Sequence, residues 1–280
     1  MLTASRHNTT TLDITSLTEI VFTTAIQPGD LTTNSIRNDT TVTLADVSGN
    51  QVTINSGIVM SGGALTIDGT ALTGTNFLDY NASSLSSTPV PVRGGAGNDD
   101  VQGGPGNDTF YGGGGDDNID GHEGDDTIYG EAGNDTLFGG AGNDTINGGD
   151  SDDRIEGGRG ADILTGGAGA DTFRYFEPMD GGDTITDFSS EDRILVSRLD
   201  FPGYGTVTEL SGSGAFSDAV LPDSSRYLVL YTDTSTGIMQ LIADYNGNGN
   251  GYFYFVVTFT AGTTATVGQI VFNDSGDGWG

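Results

Sequence analysis

The sequence predicts an all-β chain: a central stack of very short strands with a β unit on either side. Three observations carry that reading. Nine nonapeptides follow one another without insertion from Gly94 to Arg174. Each holds Asp at its sixth place and an apolar residue at its eighth. Outside them, runs rich in Thr, β-branched and aromatic residues alternate with turn signals, and no long apolar stripe of helical period appears.

Residues 1–92 read as a small all-β unit, solenoid-like or sandwich-like. Its strand-like runs are Thr18 to Thr23, Thr41 to Leu44, Gln51 to Ile54, Ile58 to Met60 and Ala64 to Ile67. Turn signals separate them at Gln27-Pro28-Gly29-Asp30, Ser48-Gly49-Asn50 and Asp68-Gly69-Thr70. Ser83 to Arg93, with Pro89 and Pro91, reads as a connector into the repeats.

The repeats run GGAGNDDVQ, GGPGNDTFY, GGGGDDNID, GHEGDDTIY, GEAGNDTLF, GGAGNDTIN, GGDSDDRIE, GGRGADILT and GGAGADTFR. Gly at places 1, 2 and 4 is expected to give sharp turns with positive φ and inward carbonyls. Places 7 to 9 suit a short strand. The apolar side chain at place 8 then faces inward and its neighbours face out. Two units make one coil, so each unit lies beside the second unit after it. A disordered, self-repelling linker has the same composition, but a linker has no reason to keep strict phase or an invariant apolar column.

Electrostatics oppose such a stack. Residues 94–174 hold 18 acidic and 3 basic side chains. A cation must offset that charge, and carboxylates with convergent carbonyls make a hard-oxygen site suited to Ca²⁺. The candidate ligands at place 6 are Asp99, Asp108, Asp117, Asp126, Asp135, Asp144, Asp153, Asp162 and Asp171. At place 5 they are Asn98, Asn107, Asp116, Asp125, Asn134 and Asn143. Nine units give seven loop pairs, four on one edge and three on the other, so about seven Ca²⁺ ions are expected.

These residues resemble the RTX, or haemolysin-type, calcium-binding repeat GGxGxDxUx. The resemblance implies a central parallel β-roll flanked by N-terminal and C-terminal β units, with Ca²⁺ in its loops. It also implies export by the type I secretion machinery without an N-terminal signal. It continues more weakly through residues 181–196, GGDTITDFSSEDRILV, which are similar to segments that close such rolls. Departures are His122 and Glu131 at place 2, Ser151 at place 4, and Ala161 and Ala170 at place 5. Loops holding Ser151, Ala161 and Ala170 are expected to bind more weakly. The expected division is therefore 1–92, a cap or assembly unit; 93–175, the roll; and 176–280, a β cap with a secretion signal.

In the last unit, Tyr227 to Thr232, Gly237 to Ala243, Tyr252 to Phe259 and Val267 to Phe272 read as strands. Asp244-Tyr-Asn-Gly-Asn-Gly matches the opening of an EF-hand loop, but the twelfth place is Phe255 where that loop needs Glu. Two readings stand: a Gly/Asn hairpin turn, or an extra calcium at Asp244, Asn246 and Asn248. The aromatic set Tyr252, Phe253, Tyr254, Phe255 and Phe259 is either core with one wet face or an assembly surface.

Composition narrows the function. Asp and Glu number 39 against 9 Lys and Arg, for a net charge of −30. That disfavours phosphate-based nucleic-acid binding and adsorption to anionic lipid. With no cysteine there is no disulfide, thiolate site or thiol nucleophile. No apolar run is long enough to span a bilayer as a helix. Met1 to Asn8 lacks the apolar region of a signal peptide. His7 and His122 are the only histidines, so H-E-x-x-H is absent, as is G-x-S-x-G. His122 reads as a tolerated outlier in its loop. The leading expectation is a secreted, non-enzymatic structural protein that self-associates as a surface layer, sheath or filament subunit. The alternatives are a secreted glycan- or partner-binding module, and an unrecognised secreted enzyme with its site in 1–92.

Overall fold

A computed structural model describes residues 2–4, 19–22, 40–43, 50–53, 65–74, 76–82, 89–176, 180–197, 207–212, 227–244, 255–263 and 265–273. Among them the strands form two sheets, of 14 and 9 strands. Through the repeats the chain alternates between the sheets, because each nonapeptide supplies one strand and one turn. Thr109–Gly114, Thr127–Ala132, Thr145–Asp150 and Ile163–Ala168 lie side by side in one sheet. Asp100–Gln102, Asn118–Asp120, Thr136–Ala141, Arg154–Arg159 and Thr172–Tyr175 lie side by side in the other. All these pairings are parallel. Thr127 lies opposite Thr109, and Asn118 opposite Asp100, so each coil holds two nonapeptides as expected.

The core is two single-file columns. One holds Ile67, Val92, Phe110, Ile128, Ile146, Leu164, Ile185 and Phe259. The other holds Tyr80, Val101, Ile119, Leu137, Ile155, Phe173, Ile194 and Ile270. All but Ile270 are at most 1% exposed, and Ile270 is 7% exposed. In a rod this thin, each coil buries two large side chains, and coil-to-coil contact does the rest.

Both columns run past the nonapeptides. Leu65–Asp68 and Leu78–Asn81 precede them in the sheets. Pro91–Arg93, read from sequence as connector, is a strand paired with Thr109–Tyr111. Proline opens that strand, where its missing N–H is tolerated, and Val90 and Val92 are buried. Beyond the repeats, Thr184–Ile185 and Arg193–Ser197 continue the two sheets with a 21-residue step. Phe255–Phe259 and Ile270–Asn273 then add parallel strands from the distant C-terminal part. Tyr227–Asp233, Ile238–Asp244 and Phe255–Phe259 form an antiparallel meander near the end of the larger sheet, and Val207–Gly212, parallel to Tyr227–Asp233, is its edge strand. Val267–Gln269, read as strand, is one turn of 3₁₀ helix leading into Ile270–Asn273. Ile58 to Met60, Asn246, Asn248 and Tyr252 to Tyr254 lie outside the described residues. No described helix is long and apolar enough to cross a membrane.

Candidate metal centre

The loops joining the two sheets place the sixth-position aspartates in two columns, one per edge. Asp99, Asp117, Asp135, Asp153 and Asp171 share one edge, and Asp108, Asp126, Asp144 and Asp162 the other, linked at 18-residue steps. All nine are buried, at 0–3% exposure. Each Oδ1 accepts the backbone N–H of a residue one coil earlier, at 2.6–2.9 Å. In seven of these rungs the donor is itself a sixth-position aspartate. Asp183 and Asp192, in the flank after the repeats, add one rung each, accepting from Asp162 and Asp171.

The second carboxylate oxygen separates the early loops from the later ones. In Asp99 and Asp108, Oδ2 accepts the N–H of Gly95 and Gly104. In Asp117, Asp126, Asp135, Asp144, Asp153 and Asp171, Oδ2 is buried without a hydrogen-bond partner. A buried carboxylate oxygen in that condition is costly unless a cation or proton meets it. Burial, the largest cause, pushes the carboxyl groups of Asp117, Asp126 and Asp153 up to about 8. It pushes Asp144 to about 7, and Asp99, Asp108, Asp135 and Asp171 to about 6. The backbone N–H bonds pull the other way, and Asp99 and Asp135 push Asp117 further up. Asp162 moves in the same direction, again through burial.

The fifth-position side chains form a second, exposed ladder of opposite direction. Asn98, Asn107, Asp116, Asp125, Asn134 and Asn143 each accept the N–H of the residue one coil later, at 2.8–3.2 Å. Asp152, not singled out from sequence, does the same for Ala170. Ala161 and Ala170 receive this contact and have no side-chain oxygen to pass it on.

Glycine has two distinct tasks here. At place 1 it makes room: a Cβ on Gly112 would collide with Asp117 Oδ2 and the Gly130 carbonyl. The positive φ expected at place 1 is not found there. At places 2 and 4 of the third to ninth units the backbone is left-handed, as at Gly142 (φ +147°), where a Cβ would strike the Gly124 carbonyl. The coil imposes that conformation on whatever residue stands there: His122, Glu131 and Ser151 have φ of +73°, +76° and +84°. Replacing Glu131 by Gly is therefore expected to stabilise the folded roll by about 1 kcal/mol. Chemical denaturation of the calcium-loaded protein checks this, and an unchanged or lower midpoint contradicts it.

Among the described residues no three Asp, Glu or His side chains gather into one metal-holding group. An ion between coils would therefore draw on one or two sixth-position carboxylates and on the carbonyls that crowd the loops, such as those of Gly95 and Gly124. Such an all-oxygen set with orphaned buried carboxylate oxygens fits Ca²⁺. The ion would supply the positive charge the carboxylates lack.

Family comparison agrees with this geometry. The model of the RTX calcium-binding nonapeptide repeat matches in four copies, at residues 93–128, 111–146, 120–155 and 147–174. No curated protein matches the chain. Among solved structures, the chain is similar to the AlgE6R3 subunit of the Azotobacter vinelandii mannuronan C5-epimerase, with 28% identity and a TM-score of 0.29. That match covers 64% of this chain and 82% of the other. Residues 93–174 are thus a run of RTX calcium-binding nonapeptide repeats, folded as a parallel β-roll, and they make this chain's calcium-binding structural module.

Proposed function

We propose that the chain is a secreted, calcium-folded roll that acts outside the cell as a structural, self-associating unit without catalytic activity. The observation that supports it best is the row of buried, unpartnered Asp Oδ2 atoms along both edges. It ties folding to an ion that is scarce in cytosol and plentiful outside. The nine sixth-position aspartates hold about seven Ca²⁺ between coils, and the fifth-position Asn and Asp side chains line the same loops. Type I secretion machinery exports the unfolded, calcium-free chain, using a signal in 176–280. Residues 1–92 and 176–280 cap the roll and join copies.

Electron microscopy and size exclusion with and without Ca²⁺ test this reading. Ordered polymers are expected with calcium and monomers without it. Deleting residues 1–64, which spares Ile67, Tyr80, Val92 and the N–H donors of Leu78 and Val90, is expected to abolish polymers while calcium-induced folding of the roll persists. A full-length protein that stays monomeric in millimolar Ca²⁺ at high concentration overturns the assembly role.

A further inference from the structure

One outer face of the roll carries a cleft of about 490 Å³, walled on one side by the second and third places of three repeat loops: His122 and Glu123, Gly140 and Ala141, and Gly158 and Arg159. It crosses four neighbouring strands, Asn118–Asp120, Thr136–Ala141, Arg154–Arg159 and Thr172–Tyr175. Three inter-strand steps of about 4.8 Å give a length of about 14 Å, enough for two or three pyranose rings. Phe138 sits mid-cleft on the second of these strands, partly exposed. Arg174 is held in place twice: its Nε lies 3.4 Å from Glu156, and its guanidinium carbon 3.1 Å from the Phe176 ring centroid. His122, with its left-handed backbone, donates its N–H to Asp120 at 3.0 Å and lines the same cleft.

The charges of the lining are mixed in sign. Carboxylates come from Asp120, Glu123, Glu156 and Asp180, and guanidinium groups from Arg159 and Arg174. A ligand carrying one sign of charge along its length meets like charge within the cleft. An uncharged polyhydroxylated chain meets acceptors and donors in turn, with an aromatic ring for the C–H face of a sugar. We infer that this cleft binds a neutral oligosaccharide, stacked on Phe138 and hydrogen-bonded by the flanking carboxylates and arginines. The inference goes beyond the assembly reading. It needs the folded roll but no polymer, so a monomer that binds sugar supports it even where assembly fails.

The test is calorimetric titration of the full chain in millimolar Ca²⁺ with cellohexaose, laminarihexaose and maltohexaose, and with hexagalacturonate as the anionic counterpart. At least one neutral hexasaccharide is expected to bind, and more tightly than hexagalacturonate. Phe138→Ala is expected to weaken that binding about tenfold, and Phe138→Tyr to retain it. The calcium-induced β signal in circular dichroism should match the parent's in both variants. If Phe138→Ala loses that signal, Arg159→Gln takes its place, with weakened binding and an intact signal expected. Absence of neutral-sugar binding, tighter binding of hexagalacturonate, or undiminished binding by a folded cleft variant overturns the inference.

Discussion

In excess EGTA at pH 8 the roll is expected to lose most of its β signal, and millimolar Ca²⁺ to restore it steeply. The cause is the carboxylate row: the buried Oδ2 atoms cannot stay charged and unpartnered together. A proton can do part of the ion's work, which fixes the pH dependence. In the metal-free fold these carboxyls titrate at about 6 to 8. In the unfolded chain they titrate near 3.9, so between the two values the folded state binds more protons. Metal-free stability is therefore fully present at acid pH and is lost as pH rises through about 6 to 8. Lowering the pH from 8 to about 4.5 in EGTA should recover β signal. Calcium affinity should move the other way, because protons compete for the same oxygens. A roll that keeps its spectrum in EGTA at pH 8 contradicts both expectations.

Truncating one aspartate should matter far more in the middle of the stack than at its start. Asp126 receives the Asp108 N–H on Oδ1, leaves Oδ2 bare and donates its own N–H to Asp144. Asp126→Ala therefore removes a rung and, on the proposed arrangement of ions between coils, a ligand shared by two loop pairs. Asp99 has both oxygens satisfied by N–H groups, from Leu78 and Gly95, and touches one loop pair. The expected shift in calcium midpoint is about tenfold for Asp126→Ala and less than about threefold for Asp99→Ala. Asp126→Asn separates the causes, since it keeps an oxygen for the rung and discards the charge. Calcium titrations followed by circular dichroism read all three, and an equal or larger shift for Asp99→Ala defeats the shared-site geometry.

The repeats were legible because each nonapeptide states its own structure. Phase gives the coil, place 8 gives the core, and the glycines give the turns. The pattern also brings each sixth-place Asp near the loop of the next coil, but their burial, at 0–3% exposure, is seen only in the structure. Two further things were not legible. The aspartate-to-backbone ladders join residues 18 apart through main-chain N–H groups, which look alike in every residue type. The extension of both columns through Ile67 and Tyr80 at one end, and Phe259 and Ile270 at the other, rests on pairings across long or irregular spacings. Thr258 lies opposite Thr184 in register, yet nothing in the 73 residues between them announces it. Place 1 shows a different limit: the sequence marks Gly as required there, but the reason is the space taken by Asp117 Oδ2 and not the sign of φ.

The alternation of the chain between two sheets makes the number of nonapeptides a matter of parity. Because strands switch sides at every unit, the ninth leaves the chain in the smaller sheet, at Thr172–Tyr175, and the flank resumes in the larger one at Thr184–Ile185. Removing two consecutive units shortens the rod by one coil and returns every later strand to its own side. Removing one sends Ile185 and Phe259 to the side built for Ile194 and Ile270. The roll thus has a reading frame two units wide, and its length can change by descent or by engineering only in whole coils.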